Sequence, residues 1–448
     1  SSGGVLPAAE VVSHPITTVL SGPAAGALGA ATIARNAGIG RVLTCDGGGT
    51  STDVAVVVDG EPALTTEGSV GGYPSLMPMV DVVTVGAGGG SVAWVSPEGA
   101  LKVGPRSAGA DPGPLCYGRG GQEVTVTDAH LVLGRIPPHL LGGEVPLAAG
   151  AARAGVGRLA AALGLPEQAC ATGILAVSAW NQANAVRQIT VRRGLDLRDF
   201  TLVTFGGSGS LLLCPLLGIL GVPAALVPPN PGTVSAFGLL TVDVRTDYVR
   251  TALSRHDQLD LARVAEILAG LREQARQALA GHGFAGGQQQ LVASADLRYF
   301  GQASEVRVPV PDGPVDAELA GAVAGAFHEA HHGRYGYDFR GDPRQQVEWV
   351  NLRVTGIGPI RRPALRELAA AAGGAERAVT GCRPVCFARD AGYTGTPVYW
   401  RPLLGAGDVV AGPAVIEEYG ATVPVHPGFA AQVDPFGNLL VSAREGGR

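Results

Sequence analysis

Two acids bracket a glycine turn in Asp46-Gly47-Gly48-Gly49-Thr50-Ser51-Thr52-Asp53. Glycines let such a turn bend tightly and bring its N–H groups close to an anion. Thr50 and Thr52 add hydroxyl donors, and a carboxylate at each end can hold a hydrated Mg²⁺ beside a phosphate. A glycine-rich hairpin with solvated acids is the alternative. A second turn, Thr204-Phe205-Gly206-Gly207-Ser208-Gly209-Ser210, leaves an apolar run and enters an apolar helix. That arrangement offers open backbone and a helix N-terminus to a phosphate or nucleotide, although a tight strand–helix connection needs no more. Two such turns on one chain are what a nucleotide cleft between two lobes requires. A third glycine-dense stretch, residues 86–91, suggests backbone held against a ligand or packed tightly between strands.

Other residues could bind metal. Asp128 and His130 stand at i and i+2; on a strand they would face the same way and could share one ion. His328 and His332 have the i, i+4 spacing of a two-histidine helix face, but no third ligand accompanies them, and a solvated face is the simpler reading. Cys382 and Cys386 form a C-x3-C pair with no second pair to complete a zinc site. Gly207-Ser208-Gly209 lacks the spacing of a nucleophile elbow. Lys102 is the only lysine, and no G-x-x-x-x-G-K-[ST] run exists, so a Walker-type loop is excluded.

The elements that must position these groups follow from pattern. Residues 42–58 read as two buried strands around the first turn, and 201–205 as a third. Helices are expected over 147–164, 172–193, 259–282 and 317–335, with strands over 291–310 and a turn-rich connector at 227–238. Texture changes near 250 and 375, giving expected domains 1–250, 251–375 and 376–448, the last a small β module. The net charge of −5 with only 16 % charged residues argues against a nucleic-acid partner, and 46 % apolar residues exclude charged disorder. Six scattered cysteines suit reduced thiols. No signal peptide is recognised and no apolar run is long enough to span a bilayer, so a soluble, cytoplasmic protein without a membrane partner is expected. The opening Ser1-Ser2-Gly3-Gly4 reads as the interior of something longer, with an N-terminal region expected in cis or on another polypeptide.

The chain resembles the hydantoinase A / 5-oxoprolinase / acetone carboxylase β-subunit family over nearly its whole length. The resemblance rests on SGPAAGALGA at 21–30, DGGGTSTDV at 46–54, VDVVTVGAGGGSVAWV at 80–95 and VGPRSAGADPGPLCYGRGG at 103–121. It continues through VTDAHLVLGR at 126–135, VTFGGSGS at 203–210, PPNPGTVSAFGLL at 228–240, DLRYFGQASEV at 296–306 and GPAVIEEYGATVPVHPG at 412–428. It implies an α/β, actin-like ATPase (ribonuclease H-like) fold followed by an α+β region and the β module, with ATP and Mg²⁺ (or Mn²⁺) as cofactors. Asp46 and Asp53 would orient the metal, Gly48, Gly49 and Thr50 would contact phosphate, and Gly206, Gly207, Ser208 and Gly209 would line the nucleotide. Asp128 and His130 would belong to a second metal or to the substrate side. The implied activity is hydrolysis of a small cyclic amide activated by phosphorylation, with ketone carboxylation as the alternative and a non-catalytic scaffold as a third. A hydantoinase B-like subunit is the implied partner, in a hetero-oligomer. Three departures stand out. The first phosphate loop, Asp-x-Gly-Gly-Thr, is missing, and histidines common in the family are replaced by Val83 and Leu195. Gly-Pro-Leu-His becomes Gly209-Ser210-Leu211-Leu212.

Overall fold

Strands that are apolar on both faces need helices on both sides, and residues 41–58 meet that condition. The computed structural model describes residues 4–6, 11–12, 15–65, 68–70, 73–75, 79–342 and 344–444. They form two compact units. The larger is built chiefly from Val19–Thr241 and Pro363–Arg448, the smaller from Gly4–Thr18 and Val242–Arg362.

In the larger unit, helix α1 (Ser21–Asn36) precedes strands β1 (Arg41–Gly47) and β2 (Thr52–Val58). After these come β3 (Val82–Val85), β4 (Ser91–Val95), β5 (Leu101–Ser107), α2 (Val126–Val132), α3 (Ala149–Leu163) and α4 (Glu167–Arg192). Strand β6 (Thr201–Phe205), helix α5 (Leu213–Leu220), strand β7 (Ala224–Val227) and helix α6 (Val234–Leu239) complete this part. β1 runs antiparallel to β2 and parallel to β6, which is parallel to β7. The alternation of side chains sorts the two faces. Leu43, Cys45, Val54, Val56 and Leu202 join Ile174, Val186 and Ile189 of α4 in one core. Val42, Val57, Val203 and Phe205 pack with Ala30, Ile33 and Ala34 of α1 in another. Each large aliphatic side chain buried this way contributes about 1.5–3 kcal/mol.

The connector at 227–238 ends in a helix rather than in turns alone. Asn230 adopts φ 49°, Pro231 opens a 3-10 turn, and α6 follows. Small residues in α1 make this possible, because α6 crosses it with backbones nearly touching: a Cβ at Gly238 would collide with the Ala25 carbonyl oxygen. The run at 125–130 also differs from the expected strand. Thr125 caps helix α2 and Asp128 completes a capping box, so the Thr-x-x-Asp signal prevails over the alternating Val-Thr-Val-Thr pattern.

The C-terminal residues are not a separate module. Leu439–Ala443 pairs antiparallel with β7, and Phe429–Val433 and Val409–Ala411 extend the sheet beyond it, so the whole sheet has nine strands. Val379–Cys386, Tyr393–Trp400, Ala414–Glu418 and Ala421–Val425 form a four-stranded sheet in the same unit. Short alternating strands were legible, but partners 200 residues away were not.

The smaller unit is an antiparallel sheet in the order Val244–Arg255, Val347–Gly358, Gln290–Tyr299, Val306–Pro309. Helices Leu261–Gly281 and Ala317–Tyr335 cover it through Leu268, Leu271, Val323 and Phe327 against Trp349 and Tyr299. The histidines of the second helix have separate neighbours. His328 Nδ1 meets the Tyr299 hydroxyl at 2.6 Å, whereas His332 Nδ1 lies 3.2 Å from Asp338 Oδ2. Among the described residues no single helix is long and apolar enough to cross a membrane; α3 and α4 pass that test only as a pair bent by 90°.

One buried ion pair ties the returning segment to the sheet. Arg401 Nη1 lies 2.7 Å from Glu418 Oε1, with both side chains 6 % exposed. Arg401 also donates to the carbonyls of Val227 and Gly437, and Glu418 accepts from the Asn230 amide. Arg401→Met would leave a buried carboxylate unpaired and should cost about 3–5 kcal/mol in denaturant unfolding. Adding Glu418→Gln should recover part of that loss, and strictly additive effects would show that the two side chains do not act as a pair.

Candidate functional site

The pairing of β1 decides where the chemistry-bearing turns lie. Asp46 is opposite Asp53 in the antiparallel pair and opposite Phe205 in the parallel pair. The turns at 47–52 and 206–209 therefore leave the same end of the sheet, beyond the carboxyl ends of two parallel strands, where open α/β sheets bind ligands. The Ser208 amide donates to the Gly47 carbonyl and its hydroxyl to the Gly48 carbonyl, both at 2.8 Å. The third stretch, 86–91, joins them: the amides of Gly89 and Gly90 donate to the carbonyls of Gly48 and Gly49. Thr52 and Gln182 both donate to the Ala87 carbonyl, which holds this stretch against β2 and α4.

With those carbonyls occupied, the turn's donors remain. Among the described residues no acceptor pairs with the amides of Gly49, Thr50 or Gly207. Gly206 does not offer its amide, which donates to the Pro231 carbonyl. Its φ of 79° favours glycine, and a Cβ at this position would collide with Asp46 Oδ1, so no other residue fits. Gly209 is buried against the β1 backbone.

The two acids are half-buried, each held by one hydroxyl. Ser235 donates to Asp46 Oδ2 at 3.2 Å and Thr84 to Asp53 Oδ1 at 2.5 Å. Neither partner was singled out from sequence. Burial first, then the charge of Asp53, pushes the Asp46 carboxyl up to about 6, against the opposing effect of Ser235. Burial also raises Asp53, with Thr84 opposing. Two repelling, partly desolvated carboxylates with one oxygen each left over suit a divalent cation that keeps most of its waters and takes phosphate oxygens. Cys45 beside them is no nucleophile, since burial pushes its thiol up to about 12.

Asp128 and His130 do not form a metal pair. On helix α2 an i, i+2 spacing points the two side chains apart. Both Asp128 oxygens are taken, by the amides of Leu115, Cys116 and Thr125 and by the Thr125 hydroxyl. His130 is fully buried with no partner at either ring nitrogen among the described residues, and burial, then Arg135 and His426, holds it well below the ordinary histidine range. No group of three or more His, Cys, Asp or Glu among the described residues could hold a metal ion. The six cysteines are all free. Val83 and Leu195 pack against the larger core and Leu212 lies within it, so these positions serve packing here.

A cavity of about 390 Å³ opens against the turns, lined by Gly48, Gly49, Gly89, Gly90, Gly207 and Ser208. Asp46, Asp53 and Thr50 do not line it. Its lining also includes Arg119, His139 and Glu417, which were not singled out from sequence, although Arg119 lies in the motif at 103–121 and Glu417 in that at 412–428.

Because the folded state holds the Asp46 proton more tightly than the unfolded chain, stability falls as pH rises from about 4 to about 6 and then levels off. Asp46→Asn removes that titration. Without divalent cations, the variant should gain on the wild type between pH 4 and pH 7 by up to about 3 kcal/mol in denaturant unfolding. A constant difference across that range would contradict the raised carboxyl.

The chain matches the hydantoinase/oxoprolinase family model over residues 1–248 and the hydantoinase/oxoprolinase C-terminal domain model over residues 253–441. The caprolactamase subunit alpha of Pseudomonas jessenii is 34 % identical over an alignment of 440 positions that covers 97 % of this chain and 63 % of that relative. 5-Oxoprolinase 1 of Arabidopsis thaliana is 30 % identical over 98 % of this chain and 35 % of its own length. Among solved structures, a nucleotide-free acetone carboxylase superposes with TM-score 0.84 at 25 % identity, covering 99 % of this chain and 64 % of that one. The ATP-dependent caprolactamase of P. jessenii gives 0.80 at 34 % identity over 94 % and 61 %. The chain thus spans less than two thirds of the length of these relatives, and it shares their α/β, actin-like ATPase fold. It belongs to the hydantoinase/oxoprolinase family.

Proposed function

We propose that the chain is the nucleotide-handling part of an ATP-dependent cyclic-amide hydrolase that activates a carbonyl by phosphorylation. The observation that carries this reading is the set of open amides at Gly49, Thr50 and Gly207 beside two acids, at the carboxyl ends of adjacent parallel strands. Backbone donors fixed in place bind phosphate oxygens without reorganising, and phosphoryl transfer depends chiefly on such positioning and charge compensation. Asp46 and Asp53 would hold Mg²⁺, which when bound neutralises phosphate charge. Gly49 and Thr50 would take the phosphates, Gly48, whose amide donates to the Ser51 carbonyl, would shape the turn, and Gly206, Gly207, Ser208 and Gly209 would border the nucleotide. Transfer of the terminal phosphoryl group to the amide oxygen releases ADP and makes the carbonyl carbon electrophilic. Water adds to that carbon, the C–N bond breaks as the nitrogen takes a proton, and hydrolysis of the resulting acyl phosphate releases phosphate. A hydantoinase B-like subunit and a first lobe bearing another phosphate loop are the proposed partners; the relatives named as subunits support an assembly.

Ketone carboxylation is the second reading, favoured by the likeness to acetone carboxylase. Phosphate release from the full-length chain with its partner, measured on hydantoins, lactams and ketones with and without bicarbonate, separates the two. Lactam- or hydantoin-stimulated release without bicarbonate is the expected result, and strict bicarbonate dependence would select the carboxylase. Asp53→Asn should lower kcat by about 10² or more, while Lys102→Ala, at an exposed position of the β4–β5 hairpin, should leave it unchanged. No stimulated release with any substrate would defeat both enzymatic readings.

A further inference from the structure

One carbonyl oxygen decides how firmly the third glycine stretch is held. The Ala87 oxygen accepts from the Thr52 hydroxyl at 2.8 Å and from Gln182 Nε2 at 2.9 Å. Two residues on, the Gly89 carbonyl accepts from both the amide and the hydroxyl of Thr127, each at 2.8 Å. Next to these anchors the Gly88 amide closes onto the Ser91 hydroxyl, and the amides of Gly89 and Gly90 run to the tip of the first turn. Thr52 therefore does not offer its hydroxyl to a phosphate. It is buried, and its proton goes to Ala87.

Gln182 is the less easily explained of the two donors. It lies on the buried face of α4, which is otherwise made of Ala, Cys, Ile, Leu and Val apart from Ser178 and Thr190. Thr190 turns its hydroxyl back to the Val186 carbonyl. Because the acceptor at Ala87 is a carbonyl, the NH2 group of Gln182 must face it, and Oε1 is left buried with no partner among the described residues. Such an orphan acceptor lowers stability. The Ala87 carbonyl would be satisfied by Thr52 alone, so the amide is not needed to complete its hydrogen bonding. What a second donor from a second element adds is geometric. One bond lets the Ala87–Gly88 peptide swing, whereas bonds to β2 and α4 together fix it.

We infer that Gln182 is a positioning residue for phosphate binding: with Thr52 it clamps the Ala87 carbonyl, so that the amides of Gly89 and Gly90 keep the N–H groups of the first turn aimed outward. The inference rests on the reading of the turns as a phosphate site. It places two opposed demands on one side chain. An apolar residue of similar length would remove the orphan oxygen and favour the folded state, while loosening the stretch that aims the turn. Stability and nucleotide handling should therefore move in opposite directions.

The test uses the full-length chain with its partner subunit. Gln182→Met should leave the urea midpoint unchanged or raised and speed amide hydrogen exchange at Gly89 and Gly90. It should also raise the KM for ATP by about fivefold or more, with the KM of the carbonyl substrate unmoved. Thr52→Val should likewise raise the KM for ATP, and Thr52→Ser, which keeps the hydroxyl, should restore it. Gln182→Glu supplies a chemical signature, because its carboxyl can donate to the Ala87 carbonyl only while protonated. Relative to wild type at each pH, its KM for ATP should be near normal at the acidic end and climb as the proton is lost. A Gln182→Met variant with wild-type exchange and wild-type KM would overturn the inference. So would one in which stability and ATP affinity fell together, the mark of a merely structural role. Faster exchange at Gly89 and Gly90 in an assembly that releases no phosphate with any substrate would defeat the functional reading and leave the clamp in place. Turnover with exchange and KM unmoved by the variants would do the reverse.

Discussion

The carbonyl oxygens of Gly48 and Gly49 are the constraint on which the site depends. A two-acid hairpin with a glycine tip would ordinarily be free to rock and to turn either its donors or its acceptors outward. Here the amides of Gly89 and Gly90 and the hydroxyl of Ser208 hold those oxygens, so the tip cannot rotate without breaking three hydrogen bonds. Each such bond contributes about 0.5–1.5 kcal/mol, but the geometric effect matters more than the sum. Three segments distant in sequence become one rigid surface whose available groups are N–H donors. An anion meeting that surface finds its partners already oriented, which is the condition under which backbone dipoles bind charge most effectively.

The acids depend on the same framework at one remove. Ser235 reaches Asp46 only because α6 lies close to the sheet, and α6 lies close only because α1 presents alanine and glycine where they cross. Packing of small residues on one face of the sheet is thereby converted into a hydroxyl beside a carboxylate on its rim. Thr84 reaches Asp53 by simpler means, since β3 pairs with β2 and places the two residues opposite each other. The acids lining the cavity are held by arginines, Glu417 by Arg383 and Glu418 by Arg401, rather than offered to a ligand.

Much of this was legible in the sequence, and what was not has identifiable physical causes. The first and second glycine turns announce themselves because glycine is required wherever backbone must approach backbone, as at Gly206 against Gly47. The helices at 261–281 and 317–335 follow from amphipathic spacing. The strand on which Asp128 and His130 would face the same way does not form, because Thr125 and Asp128 cap a helix there, and with it went the shared-ion reading. The separate C-terminal module was wrong because strand pattern carries no information about which distant edge a strand will join. His139 was missed because it lies outside every recognised motif, on a short local ladder whose place beside the turns the sequence pattern does not show.

The return of residues 363–444 to the sheet has a bearing on synthesis. Until Leu439–Ala443 emerges from the ribosome, β7 has an open edge with unpaired backbone groups, the kind of edge that recruits other strands. The smaller unit, continuous apart from its short N-terminal piece, has all its sheet strands by Gly358 and can condense while that edge still waits. Trp400 and Glu417 on the cavity wall are also made long after the glycine turns. A nascent chain therefore carries its glycine turns before it has the wall that completes the pocket.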